Sequence, residues 1–250
     1  MAQTHANLAD NYIVMDQLTE AISNTLACVA IYAELEQQDS QNTVWLEGAV
    51  AALEKMGDLS KAQRSSFATR SSDIAQSLAY YQQARTKRDD LYKRDPGNLN
   101  YLRGLSISDI RMGDWHHDQK SYDKALEFYL ASATKRAQLT TADPTNIDWV
   151  YMLGVANGKV SLAYKSKRDW QNAETYALKH LRAAEQAAQT NPDNSLWAGD
   201  SALANYRAGL LYSESIQFGV GNRTEAVQYL VRAKELFARL QARGFLKDRK

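Results

Sequence analysis

The chain has 250 residues, and 44% of them are apolar, enough to bury a sizeable core. Its formal net charge of +1 leaves no surplus of Lys and Arg for phosphate contacts, which excludes a general nucleic-acid binder. Cys28, the single cysteine, rules out an internal disulfide, and no apolar run approaches the ~20 residues needed to span a bilayer.

The first residues, Met1-Ala2-Gln3-Thr4-His5, carry neither a basic segment nor an apolar one, so no signal peptide is visible and a cytoplasmic location is expected. Leu8-Ala9-Asp10-Asn11-Tyr12 opens a short helix, and Leu18-Thr19-Glu20-Ala21 opens its partner over residues 17–38. Asp39-Ser40-Gln41-Asn42-Thr43-Val44-Trp45 follows, then a helix containing Met56-Gly57-Asp58. The next helix is delayed by eight residues and is predicted over residues 76–93. Residues 59–75, with Ser60, Ser65, Ser66, Ser71 and Ser72 and few large apolar side chains, are expected as an irregular or extended loop.

From there the pattern sharpens. Asp95-Pro96-Gly97-Asn98 returns as Asp143-Pro144-Thr145-Asn146 and as Asn191-Pro192-Asp193-Asn194, one period of 48 residues each time. Tyr101, Leu102, Leu105, Met112 and Trp115 mark one helical face, and Tyr122, Ala125, Leu126, Phe128, Tyr129 and Ala133 mark the next. Second helices are predicted near residues 122–141, 170–189 and 223–243, with Gly244 as the residue that ends the last. The Asp or Asn before each proline reads as an N-cap with Pro at the first helical position, and as a stop for the helix before it. The repeats are 1–38, 39–94, 95–142, 143–190 and 191–244, forming a single domain 1–244 followed by a basic tail, 245–250. A fixed period of this size marks a stack of units that bury their apolar faces only against their neighbours.

In most units a large residue precedes a small one, Tyr or His stands three residues after it, and Ala marks the second helix. The small column reads Ala9, Gly57, Gly113, Ser161, Gly209, and the second-helix column Ala21, Ser77, Ala125, Ala173, Ala226. An aromatic follows four residues on at Tyr81 and Tyr129, whereas Thr25, Ala177 and Leu230 depart from it. This pattern resembles the tetratricopeptide repeat (TPR) family over about residues 5–243, with a period longer than the usual ~34 residues. The resemblance implies an all-α, right-handed α-solenoid of five antiparallel helix pairs, with first helices lining a concave groove where peptides bind. Arrays of this long period are often attached to bacterial signalling proteins. A column of Asn24, Tyr80, Phe128, Tyr176 and Tyr229 is expected to fill space between repeats.

No catalytic or metal constellation is found, and no cofactor is expected. His116 and His117 are adjacent and point apart on a helix, and His116 stands in the column of Tyr12, Tyr164 and Tyr212. Phe218-Gly219-Val220-Gly221-Asn222 follows a helix and lacks the Lys-Ser or Lys-Thr of a phosphate loop. Cys28 falls with Ala84, Ser132 and Ala233 on a small-residue face and reads as a buried, inert thiol.

The candidate binding residues lie two before the small position: Asn7, Lys55, Arg111, Lys159 and Arg207. In family members that grip C-terminal carboxylates, bases here contribute, although Ile107, Val155 and Leu203 stand where further bases would be needed. One after the small position come Asp10, Asp58, Asp114, Leu162 and Leu210. Lys55 with Asp58 and Arg111 with Asp114 are expected as pairs on one helix, leaving Lys159 and Arg207 unanswered. Lys165 adds charge and Tyr206 adds an aromatic contact. The resulting expectation is a non-catalytic protein–protein interaction scaffold, a regulatory segment of a larger signalling protein. Its groove would take a protein or peptide, acidic or C-terminal, through Lys159, Leu162, Lys165, Tyr206, Arg207 and Leu210. Self-assembly through uncapped ends is the alternative. An enzyme on this scaffold would need a convergence of His, Glu and Lys that these columns do not supply.

Overall fold

The structure, a computed structural model, describes residues 1–62 and 70–245. The described residues form ten α-helices and one 3-10 turn, with no strand among them. In chain order these are α1 (Ala2–Val14), α2 (Leu18–Gln38), α3 (Thr43–Ala62), α4 (Arg70–Arg94), α5 (Leu99–Asp118), α6 (Tyr122–Ala142), α7 (Ile147–Ser166), α8 (Trp170–Thr190), α9 (Ser195–Ser215), the turn Ile216–Phe218, and α10 (Arg223–Ala242). Two compact units divide the chain, Met1–Met112 and Gly113–Lys250. The first holds α1 to α4 and most of α5; the second holds the end of α5 and α6 to α10.

The Asp-Pro marks do stop one helix and start another, but the division of labour differs from the sequence reading. Asp143 is the C-cap of α6, in extended backbone (φ −143°, ψ 91°). Its Oδ1 accepts the Thr145 N–H at 3.0 Å, and the Asn146 N–H reaches its carbonyl at 3.3 Å. Pro144 is thus the second residue of a tight turn, where its fixed φ belongs. The N-cap is Asn146, whose side chain accepts the Trp149 N–H at 3.2 Å. Asn191 and Asn194 repeat this arrangement before α9, and Asn42 caps the Trp45 N–H at 3.2 Å.

Paired helices approach closely where the small columns meet. Gly57 and Gly113 are buried against the rings of Tyr81 and Tyr129, and a Cβ on either glycine would overlap the ring. Ser77 donates its hydroxyl hydrogen bond to the Gly57 carbonyl at 2.9 Å, and Ser161 donates to that of Ala173 at 2.7 Å. The aromatic column stacks mainly on the first helix of its own pair: Phe128 on His116, Tyr176 on Tyr164, Tyr229 on Tyr212, with centroids 5.4–5.7 Å apart. Tyr229 also packs against a buried cluster, Leu181, Ala184, Ala204 and Ala208, that joins two successive pairs.

The serine-rich stretch is a correction. Helix α3 continues to Ala62 and α4 already starts at Arg70, so residues 59–62 and 70–75 are helical rather than loop. The part of the expected loop at residues 63–69 lies outside the described residues. Serine costs a helix little, and Leu59 and Ser60 are buried at the end of α3, where packing outweighs that preference. Part of the insertion thus lengthens α4, which runs for 25 residues against 21 in α6.

The glycine contacts are testable. Gly113→Ala should lower stability by about 1–3 kcal/mol, because the Tyr129 ring that it meets is fully buried. Gly199→Ala, with nothing within 4 Å of the added carbon, should be neutral or raise stability by up to about 1 kcal/mol. Urea unfolding midpoints of the two variants check the contrast.

Candidate functional site

The basic and acidic columns pair, but across repeats. Lys55 on α3 reaches Asp10 on α1 at 2.7 Å, and Arg111 on α5 reaches Asp58 on α3 at 2.6 Å, both in the first unit. In the second unit Lys159 on α7 reaches Asp114, near the end of α5, at 2.7 Å. The expected pairs within one helix, Lys55 with Asp58 and Arg111 with Asp114, are not the ones formed. Each base stands three residues before its own acid, and helical side chains lean toward the N-terminus, so the base leans away from that acid. The consequence also overturns part of the charge argument: Lys159 is answered by Asp114.

A tyrosine completes two of these rungs. Tyr81 donates its hydroxyl hydrogen bond to Asp58 at 2.5 Å, and Tyr129 donates to Asp114 at 2.7 Å. Burial first, and then the neighbouring Asp114 charge, push the Tyr129 phenol far above the ordinary tyrosine range. Each such rung is therefore a carboxylate held between a buried phenol and a partly exposed base.

The next rung is vacant. Leu162 occupies the acid's position, Ala177 occupies that of Tyr81 and Tyr129, and Arg207 occupies the base's. Among the described residues Arg207 is exposed and has neither an ion-pair nor a hydrogen-bond partner. Loss of the ring and the carboxylate together leaves a cavity of about 230 Å³ between α7, α8 and α9. Val155, Leu162, Ala177, Leu210 and Leu211 supply its apolar wall, and Lys159, Lys165 and Arg207 its charge. His180 and Asp200 form the polar wall, bonded to each other at 2.9 Å. Burial, and then the neighbouring Asp200 charge, push the Tyr151 phenol up to about 12.

Of the residues singled out from sequence, Lys159, Leu162, Lys165, Arg207 and Leu210 thus meet at one cavity. Lys165 is paired there with Glu214 at 2.9 Å. Tyr206 is 43% exposed and does not line it. Lys55 and Arg111 belong to the first unit and are tied up in rungs. Sequence reasoning missed Ala177, His180 and Asp200. The signal for Ala177 was present, since the aromatic and the acid are lost from their columns in the same repeat.

Elsewhere the chemistry is quiet. Cys28 is buried, and burial raises its thiol pKa, which disfavours the thiolate. His117 bonds Ser166 at 3.0 Å. Among the described residues no three His, Cys, Asp or Glu side chains gather to hold a metal, and no helix is long and apolar enough to cross a membrane.

No family model matches the chain, and no curated protein does. Solved structures do. The nearly identical TPR-like repeats of a protein from Podosopora anserina, described as a kinesin light chain, match with a TM-score of 0.60 at 13% identity, covering 96% of both chains. BtubC (BKLC) from P. vanneervenii matches with a TM-score of 0.52 at 13% identity, covering 93% of this chain and 95% of that one. The fold is thus an all-α, TPR-like helical repeat, as the sequence pattern implied.

The rung orders two substitutions. Asp114→Ala strands the buried Tyr129 hydroxyl and should cost about 1–3 kcal/mol. Tyr129→Phe leaves Asp114 with Lys159 and water and should cost less, about 0.5–1.5 kcal/mol from the lost bond. Chemical denaturation of both variants tests the order.

Proposed function

We propose that the chain is a non-catalytic protein-interaction scaffold whose second unit binds an acidic or C-terminal peptide segment of a partner protein. The observation that carries this reading is Arg207, an exposed cation without a partner at the edge of an apolar cavity. Its counterparts Lys55, Arg111 and Lys159 are each neutralised by the acid of the preceding repeat. An incoming carboxylate gains a full ion pair at Arg207, whereas at the other three it must displace an existing one. Leu162 and Leu210 flank Arg207 with apolar surface, so a bound segment buries side chains beside the charge. Helical repeats of this kind present extended surfaces to partners, and the two similar structures support the scaffold reading at the level of fold alone.

Arg207→Ala should weaken the best-binding peptide by about ten-fold to a hundred-fold, the loss of one charge-assisted hydrogen bond. Arg111→Ala should leave binding unchanged, and added salt should weaken the wild-type complex. A peptide-array screen followed by calorimetric titration of both variants gives the comparison. Unchanged affinity in Arg207→Ala sinks the assignment.

A further inference from the structure

The vacant rung also specifies what should fill it. At the two rungs completed by tyrosine, three groups meet: a base, a carboxylate and a ring lying against the first helix. At the vacancy only the base remains, and the space of the other two is the cavity beside Ala177 and Leu162. We infer that the partner segment supplies both missing groups, an aromatic side chain in the space beside Ala177 and an acidic side chain paired with Arg207. This rests on the peptide-binding reading and names the chemistry of the peptide.

Three observations support it. The cavity, at about 230 Å³, is below the ~300–1,000 Å³ of pockets that enclose a drug-sized molecule, and suits one inserted side chain. Val155, Leu162, Ala177, Leu210 and Leu211 give it an apolar wall, and the acid of its polar wall, Asp200, is already bonded to His180. A second carboxylate placed there would meet a like charge, so the incoming acid belongs at the edge, with Arg207, and the ring belongs inside. In an extended chain, side chains two residues apart share a face. The recognised element is therefore an aromatic residue two positions from an Asp or Glu, inside a partner segment rather than at its end.

Methyl NMR titration of the full chain tests this with blocked tripeptides, reading Ala177, Leu162 and Leu210. The probes are acetyl-Asp-Ala-Tyr-amide and acetyl-Tyr-Ala-Asp-amide. At least one should shift the Ala177 methyl, and binding should fall by about ten-fold or more when Tyr becomes Ala or Asp becomes Asn. The triple variant Ser161→Gly, Leu162→Asp and Ala177→Tyr, in which the glycine makes room for the ring, should rebuild the rung from within, remain folded and lose the peptide. Peptides that need Arg207 but ignore the ring, or that bind the triple variant as well as the wild type, overturn this inference while leaving the proposed function standing. Stronger binding by acetyl-Ala-Ala-Tyr with a free C-terminal carboxylate makes the occupant a chain end and also overturns it. So does the absence of any Ala177 shift with both blocked probes. If library peptides, too, bind Arg207→Ala unchanged, the proposed function falls with it.

Discussion

Much of the molecule depends on one steric contact, the seat of a second-helix side chain on the small residue of its first helix. The two columns vary together. Gly57 and Gly113 lie under the rings of Tyr81 and Tyr129, and Gly209 lies under Leu230. Where the opposing residue shrinks to Thr25 or Ala177, the small position can carry a side chain, and Ala9 and Ser161 stand there. Polar structure follows from the same seat. A ring held against glycine brings its hydroxyl to the aspartate one residue further on, and that aspartate then anchors the base of the next repeat. Remove the ring and the carboxylate loses its buried donor; at that rung the chain has leucine instead.

The energetic roles of these parts differ. An ion pair that is partly exposed on both sides, such as Lys159 with Asp114, contributes only about 0.2–1 kcal/mol. The fully buried Tyr129 contributes several times more through apolar burial alone. Rungs therefore add little to the strength of the stack, and their value lies in leaving no charge unanswered. The first unit handles deeper charges in the same way. Glu54, 6% exposed, is bonded by Arg88 at 3.0 Å and by Ser108 at 3.0 Å, and Arg85 bonds the fully buried Asp109 at 2.7 Å. Each buried carboxylate has a cation, as the cost of burying it alone requires.

Helices were legible because they depend on local signals. The period, the helical faces and the Asp-Pro turns placed α6, α8 and α10 within a residue or two of their observed ends. The end of α3 and the start of α4 were misplaced because a run of serines reads as loop, while burial of Leu59 and Ser60 in α3 is a tertiary effect. Cap roles were assigned one motif too early, since the hydrogen bonds of Asp143 and Asn146 depend on a turn whose geometry spacing does not reveal. At the site, Lys159, Leu162, Lys165, Arg207 and Leu210, which the columns singled out, line one cavity, and Tyr206 does not. Their pairing could not be read, because whether Lys159 meets an acid of its own helix or of the previous one is a matter of side-chain direction. Glu54, Arg85 and Arg88 escaped notice for a related reason: a charge among apolar residues announces burial only once its partner is known.

The direction of these pairs has a bearing on how such a chain could be lengthened or shortened. In every rung the acid comes from the earlier repeat and the base from the later one. The rung between two repeats therefore needs only an aspartate at this position in the earlier one and a base in the later one. Excising residues 143–190 would set Arg207 after Asp114, and the open charge would close. The open charge of Arg207 is thus a property of sequence order, created by the repeat before it, and duplication or loss of one period could open or close it without altering Arg207 itself.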